Sequence, residues 1–145
     1  MMNRFIHLPI LIAVVAGLVS AGLPDGVAAQ PMKELRYQGT PYISGGIGSV
    51  ERERLEEMAV LHNVKLIFAV ETGHYLSAVD VVIQNSGGTV VVEDVSHGPW
   101  FYTTLAPGDY TITAKAKGES RMKEAKVGGG WQSKVHFRWP DEESE

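Results

Sequence analysis

From Val64 to Trp139, hydrophobic and polar residues alternate with a period of two, the pattern of half-buried β-strands. Turn signals such as Ser86-Gly87-Gly88 separate the alternating segments. Seven short strands with turns roughly 8–12 residues apart predict an all-β fold, a seven-stranded antiparallel β-sandwich of the Ig-like or prealbumin-like kind. The predicted strands cover 64–71, 78–85, 89–95, 100–105, 109–116, 121–127 and 134–139.

A helical period precedes the first of these strands. Hydrophobic residues recur at i, i+3, i+4 and i+7, which predicts one amphipathic N-terminal helix at about 50–62. Ser49 is placed to cap its start, and Asn63 is placed to end it in the left-handed conformation. The predicted buried face consists of Leu55, Met58, Ala59 and His62.

Several strand residues are apolar on the face that points away from the predicted core. Ile67, Ala69 and Val82 belong to this outer set. An apolar outer surface needs a cover, and the amphipathic helix is the candidate for it. Phe101, which has the opposite parity to Trp100 and Tyr102, is expected beneath that helix.

The N-terminus has the layout of a secretory signal peptide. A short basic start is followed by an uncharged apolar run at 10–23, which is too short for a comfortable membrane span. We expect residues 1–29 to form the signal, with cleavage after Ala29; cleavage after Ala21 and retention as an anchor are the alternatives. The predicted location is periplasmic or secreted, with no membrane span after cleavage. Residues 30–41 are expected to form a flexible arm.

Composition narrows the class of protein. The 145 residues include no cysteine, so neither a disulfide nor a lipoprotein anchor can form, and the domain must depend on its hydrophobic core. The formal net charge is −4, and the four acids of the tail at 141–145 account for all of it. The predicted sandwich domain (42–140) therefore lacks the clustered Lys and Arg of a nucleic-acid-binding surface.

The segment "GPWFYTTLAPGDYTITA" (98–114) carries a recognisable motif, in which a Gly opens a strand, aromatics alternate, and a Pro-Gly turn leads to a Tyr. It resembles the carboxypeptidase regulatory-like domain, a prealbumin-like (transthyretin-like) β-sandwich, and the resemblance covers about 64–139. It implies that the motif aromatics face the core; it implies no peptidase activity, because the peptidase domain is absent. The motif residues are Trp100, Tyr102, Leu105, Pro107, Gly108 and Tyr110.

Candidate chemistry is sparse. The four histidines after the signal have no metal-ligand spacing, and no G-x-S-x-G nucleophile elbow occurs. The glycine-rich "SGGIGS" (44–49) lacks the Lys-Ser/Thr ending of a phosphate-binding loop and is interpreted as a turn and a cap. We therefore predict no catalytic residues, no metal and no cofactor. The histidines are His62, expected to be cationic at the helix end, His74 and His97 in turns, and His136.

These observations favour a non-catalytic module of the cell envelope that binds a protein or acts structurally. The alternative is a carbohydrate-binding module of starch-binding-like fold, since sugar sites use exposed aromatic rings. The partner is thus an envelope protein or a glycan. The candidate surface aromatics are Trp131, Tyr75 and Tyr42, and the glycan alternative requires Trp131 and Tyr75 to lie coplanar on one exposed surface.

Overall fold

The computed structural model describes residues 32–141, most of which lie in β-strands. The predicted signal peptide (1–29) and tail residues 142–145 lie outside the described residues. The strands are β1 (Leu35–Tyr37), β2 (Thr40–Gly45), β3 (Val64–Val70), β4 (Val79–Asn85), β5 (Val90–Ser96), β6 (Trp100–Thr103), β7 (Gly108–Ala116), β8 (Glu119–Val127) and β9 (Ser133–Trp139); helix α1 spans Ser49–Met58, and a 3-10 turn spans Ala59–Leu61.

The strands form two sheets that pack around a shared core, which makes the described part of the chain a β-sandwich. The five-stranded sheet has the order β1-β2-β6-β3-β9, and the four-stranded sheet has the order β5-β4-β7-β8. The predicted count of seven strands is wrong, because the described residues contain nine. The purely antiparallel prediction is also wrong at one place, since β3 and β9 run parallel.

β1 and the start of β2 lie in the segment 30–41 that was expected to form a flexible arm, and the rest of β2 is the short strand that "YISGGIG" (42–48) indicates before its glycine-rich turn. β1 and β2 form a hairpin in which Tyr37 pairs with Thr40. The two linking residues, Gln38 and Gly39, have φ values of 45° and 89°, as a two-residue hairpin turn with two left-handed positions requires. The Gln-Gly pair is a weaker signal for this turn than Asn-Gly, and the sequence analysis therefore did not predict the hairpin.

The main core lies between the two sheets and consists of side chains at alternate strand positions. Both sheets contribute to it, and most of its members are buried. The motif residues Leu105 and Tyr110 belong to it, whereas Pro107 and Gly108 form an exposed turn. The Tyr110 hydroxyl donates to the carbonyl of Ala106 at 2.6 Å, which satisfies a polar group at the core edge. The largest fully buried core side chains are Trp139, Phe68, Phe101, Phe137, Leu66, Ile83 and Ile112.

All three residues of the aromatic triplet at the start of β6 are buried. Each of them, however, points to the face of the sheet opposite to the predicted one. Phe101 lies in the main core and stacks on Tyr42, with ring centroids 5.4 Å apart. Trp100 and Tyr102 lie on the outer face of the five-stranded sheet, beneath helix α1. Alternation correctly separated Phe101 from its neighbours, but it does not say which face meets the other sheet. Gly98 precedes the triplet because a Cβ there would overlap the backbone of Gly45.

Helix α1 covers the outer face of the five-stranded sheet through a second, smaller core. Leu55 and Ala59 are the buried residues on its side, and they pack against outward residues of β2 and β6. Met58 is 41 % exposed, so the predicted buried face was too wide. The sheet residues of this second core are Ile43, Trp100 and Tyr102.

The ends of the helix differ from the expectation. Ser49 is the first helical residue and makes no capping bond, while the Glu51 carboxylate accepts the N–H of Gly46 at 2.9 Å. Asn63 is not left-handed. Its side-chain amide instead bonds both backbone groups of Leu105, donating to the carbonyl at 2.8 Å and accepting the N–H at 2.9 Å. Asn63 thereby joins the segment that follows β6 to the start of β3.

Candidate functional site

Two of the three candidate surface aromatics are exposed, and the third is buried. Trp131 is 58 % exposed and Tyr75 is 50 % exposed, whereas Tyr42 is only 6 % exposed. The expectation that Tyr42 lies outside the core is therefore wrong. Its hydroxyl donates to the carboxylate of Asp94 at 2.5 Å, and burial, with that bond and charge, raises the pKa of Tyr42 to about 12.

Tyr75 and Trp131 lie at opposite ends of strand β3. Tyr75 forms a β-bridge with Ala69, near the end of the strand. Trp131 precedes Ser133, which pairs with Val64 at the start of the strand. At roughly 3.3 Å per residue, these two β3 positions are about 17 Å apart. The two rings therefore do not form one sugar-binding platform.

An exposed apolar surface, which we call the end patch, surrounds Trp131. The end patch is formed by Val60, Leu61 and Trp131, which are 78 %, 86 % and 58 % exposed. These residues line a concavity of about 390 Å³ that contains no acidic, Lys or Arg side chain. Its other lining residues are His62, Asn63, Gly130 and Gln132.

Hydrogen bonds join the two segments that build the end patch. The Gln132 side chain donates to the carbonyl of His62 at 3.2 Å, and the Ser133 N–H donates to the carbonyl of Asn63 at 2.8 Å. The indole of Trp131 lies directly against Gly128, so that a side chain at position 128 would overlap the ring. The exposed indole thus packs on Gly128, and the two residues that follow it hydrogen-bond to His62 and Asn63.

His62 lies beneath the end patch as a buried, hydrogen-bonded side chain. One ring nitrogen is 2.8 Å from the hydroxyl of Thr104, and the other is 3.2 Å from the carboxylate of Glu34. Burial lowers the pKa of His62, and the negative charge of Glu34 opposes that effect without overcoming it. The expected cationic role at the helix end is therefore wrong.

A second concave region, which we call the aromatic trough, lies on the outer face of the five-stranded sheet where α1 leaves it uncovered. Tyr75 and Trp100 stand on one side, with ring centroids 6.3 Å apart in an edge-on arrangement. His136 and Arg138 of β9 stand on the other side. The depression measures about 220 Å³, and the remaining lining residues are Ile67, Ala69, Gly73 and Phe137.

Cations surround the rings of the aromatic trough. The Arg52 guanidinium lies 5.5 Å from the centroid of Tyr75 and 5.9 Å from that of Trp100. The Lys65 ammonium lies 3.6 Å from the Trp100 ring centroid. Burial lowers the pKa of Lys65, an effect that the charge of Glu56 partly opposes.

The sequence pattern missed residues in both regions. Val60 and Leu61 were assigned to a helix but lie outside its predicted apolar face, and two adjacent apolar residues in that position were the available signal. Ile67 and Ala69 were correctly placed on the outer face. Nothing along the chain related them to His136 and Arg138, because the parallel pairing of β3 and β9 joins segments about 70 residues apart.

The remaining candidate chemistry stays dispersed. His74 and His97 are exposed loop residues, and the His97 N–H donates to the hydroxyl of Ser44 at 3.0 Å. Within residues 32–141, no three His, Asp or Glu side chains cluster closely enough to hold a metal ion. Over the same residues, no helix is both long and apolar enough to cross a membrane.

Comparison with known proteins assigns no family: no family model matches the chain, and no curated protein matches it. The fold of the described residues defines the class of the protein as a β-sandwich with a helix packed on one sheet.

Proposed function

We propose that the protein is a non-catalytic, exported interaction module of the carboxypeptidase regulatory-like type, which binds a protein of the cell envelope through the end patch. The observation that carries this proposal is the joint exposure of Val60, Leu61 and Trp131 around one concavity. Contiguous exposed apolar residues mark interaction sites in soluble domains. The signal-like N-terminus supports the envelope as the location of the partner.

The chemistry of the end patch favours a protein over a glycan. The centres of protein interfaces are depleted of charge and rich in aromatic anchors, and Trp is among the residues enriched in binding hot spots. Trp131 occupies such a position, with aliphatic neighbours and without a charged lining residue. A glycan platform was expected to need Tyr75 beside Trp131, and these rings lie at opposite ends of β3.

Site-specific photo-crosslinking in the native host tests this proposal. A photoreactive amino acid at Leu61 is expected to capture one envelope protein reproducibly. The matched control carries the same group at Met122, which is 69 % exposed on the four-stranded sheet. Capture of the same protein from both positions, or capture of none from Leu61, would contradict the proposal.

Two further variants connect the captured protein to Trp131. Trp131→Ser is expected to abolish the Leu61 crosslink, because it removes the central anchor of the patch. Gly128→Ala is expected to weaken the crosslink, because the added methyl group displaces the indole without deleting it. Both proteins should keep a folded circular-dichroism spectrum. A Leu61 crosslink of full intensity in Trp131→Ser would assign the partner to another surface.

A further inference from the structure

We propose that the aromatic trough binds a small carboxylate built on a single ring, independently of the protein partner at the end patch. The trough combines an aromatic wall, a cationic wall and an apolar floor. It lies at the other end of β3 from Trp131 and shares no lining residue with the end patch.

Strand register explains why these side chains meet. Ile67 pairs with Trp100 on one side of β3 and with His136 on the other. Two residues further along β3, Ala69 is bridged to Tyr75 on one side and pairs with Arg138 on the other. Residues at i and i+2 share a face, so two successive rows across the sheet build the site.

The floor of the trough creates the space. Ala69 has only a methyl side chain and lies between the longer side chains of Tyr75 and Arg138. The backbones that carry these two side chains are two strand spacings apart, or about 10 Å. The volume of about 220 Å³ is below the range of roughly 300–1,000 Å³ that drug-sized ligands occupy. One ring with a short substituent therefore suits the trough better than an extended molecule.

The charged groups around the trough select for an anion. Arg138, Arg52 and Lys65 approach it, and its lining contains no carboxylate. Arg138 donates to the carbonyl of Val70 only at 3.4 Å, and no salt bridge among the described residues involves it. Its planar fork is thus available for a bidentate bond to a carboxylate. Because the protein as a whole has a net charge of −4, the preference for an anion is a local property of the trough and not of the whole protein.

An unsatisfied donor adds an independent observation. Trp100 lines the trough and is 8 % exposed, and its indole N–H has no hydrogen-bond partner in the described part of the chain. Buried polar groups are almost always paired, and an unpaired one is costly. Because the nitrogen itself has no exposed surface, a ligand oxygen pairs with it only when the indole shifts slightly towards the trough, and such pairing would favour the occupied trough over the empty one.

The aromatic wall supplies a surface for the ring of the ligand. Tyr75 is half-exposed, and the Arg52 guanidinium and the edge-on contact with Trp100 restrain its position. A flat or chair-shaped ring can pack on such a restrained aromatic face while its carboxylate reaches Arg138.

An NMR titration of the purified protein with nitrogen-15-labelled tryptophan tests the proposal. The probes are benzoate and D-glucuronate, each compared with a neutral counterpart, benzyl alcohol and D-glucose. We expect at least one acid to shift the indole signal of Trp100 and to bind at least tenfold more tightly than its neutral counterpart. The signals of Trp131 and Trp139 should stay in place. Binding of benzoate alone assigns the site to aromatic acids, and binding of glucuronate alone assigns it to sugar acids.

Three variants locate the binding. Arg138→Gln should weaken binding of the acid at least tenfold, since it removes the bidentate donor. Ala69→Leu should weaken it comparably by filling the floor. Lys134→Gln, which removes a positive charge from the same face of β9 outside the trough, should change the affinity less than twofold. Failure of both acids to bind, equal binding of the neutral compounds, or equal effects of Arg138→Gln and Lys134→Gln would overturn the proposal.

Discussion

At the scale of single residues, His62 shows how burial decides the protonation of a side chain. It is 5 % exposed and lies between Thr104 and Glu34. Loss of hydration disfavours the charged imidazolium more strongly than Glu34 favours it, so the pKa is lowered. The neutral ring therefore holds the start of the described chain against the end of the helical segment.

This geometry predicts a loss of stability in mild acid. An unfolded histidine has a pKa near 6.5. The folded pKa is lower, so the unfolded state binds the proton first as the pH falls. We expect the contribution of His62 to the free energy of unfolding, followed by urea denaturation, to be constant above about pH 7 and to decrease from about pH 6.5 downward.

Two variants isolate His62 from the other acid-sensitive groups. Glu34→Gln removes the opposing negative charge, which lowers the pKa of His62 further and should make the acid loss steeper. His62→Gln should make the loss shallower, because the titrating group is gone. Identical pH dependence in the two variants and the original protein would contradict this account.

At the scale of elements, helix α1 depends on the sheet beneath it. Ten residues are too few for a stable isolated helix in water. Leu55 is fully buried against outward residues of β2 and β6, and it provides the principal anchor of the helix.

We expect Leu55→Ala to lower the free energy of unfolding by about 2–5 kcal/mol, through lost burial and the cavity left behind. Met58→Ala is the matched control, because Met58 is 41 % exposed and should cost less than about 1 kcal/mol. Chemical denaturation of both variants measures the difference. Equal costs at the two positions would show that the helix face is not oriented as described.

At the scale of the whole molecule, side-chain bonds join the two sheets along both long edges. On one edge, Tyr42 of β2 donates to Asp94 of β5. On the other edge, the indole N–H of Trp139 donates to the carbonyl of Glu119 at 3.0 Å, and the Lys123 ammonium donates to the carbonyl of His136. These hydrogen bonds connect the two sheets in a chain that has no cysteine and therefore no disulfide to connect them.

The Tyr42–Asp94 bond should contribute measurably to stability, because a hydrogen bond to a charged group is worth about 1.5–3 kcal/mol. We expect Tyr42→Phe to lower the free energy of unfolding by that amount, and Tyr37→Phe to change it by less than about 0.5 kcal/mol. Tyr37 is the matched control, since its hydroxyl has no hydrogen bond within the described residues. Stability that is not additive in a cycle with Asp94→Ala would confirm the coupling; full additivity would contradict it.

Much of the architecture could be predicted from local patterns. The seven segments predicted as strands are strands, and the helix lies where the apolar period of Leu55 and Ala59 indicated. The outward placement of Ile67 and Ala69, and the need for a cover over part of that face, also followed from alternation. The β1–β2 hairpin did not, because its Gln38-Gly39 turn is a weak local signal and its strands gain their stability by joining β6.

The candidate sites were less predictable, because each depends on contacts between distant parts of the chain. Trp131 and Tyr75 were identified as exposed aromatics, but their positions at opposite ends of β3 depend on the parallel pairing with β9. Tyr42 was misplaced because one strand residue alone does not show which face is buried. Val60 and Leu61, which form the end patch with Trp131, were not identified because their segment was assigned to the helix.

The sequence by itself determined the β-rich class, the alternation along each strand and the position of the helix. These depend on side-chain periodicity and turn chemistry, which act between neighbours in the chain. Only the tertiary structure decided that Phe101 faces the main core while Trp100 faces the helix, and that Arg138 stands opposite Tyr75. The reason is physical: alternation defines two faces of a strand, but the burial of each face depends on which distant element packs against it.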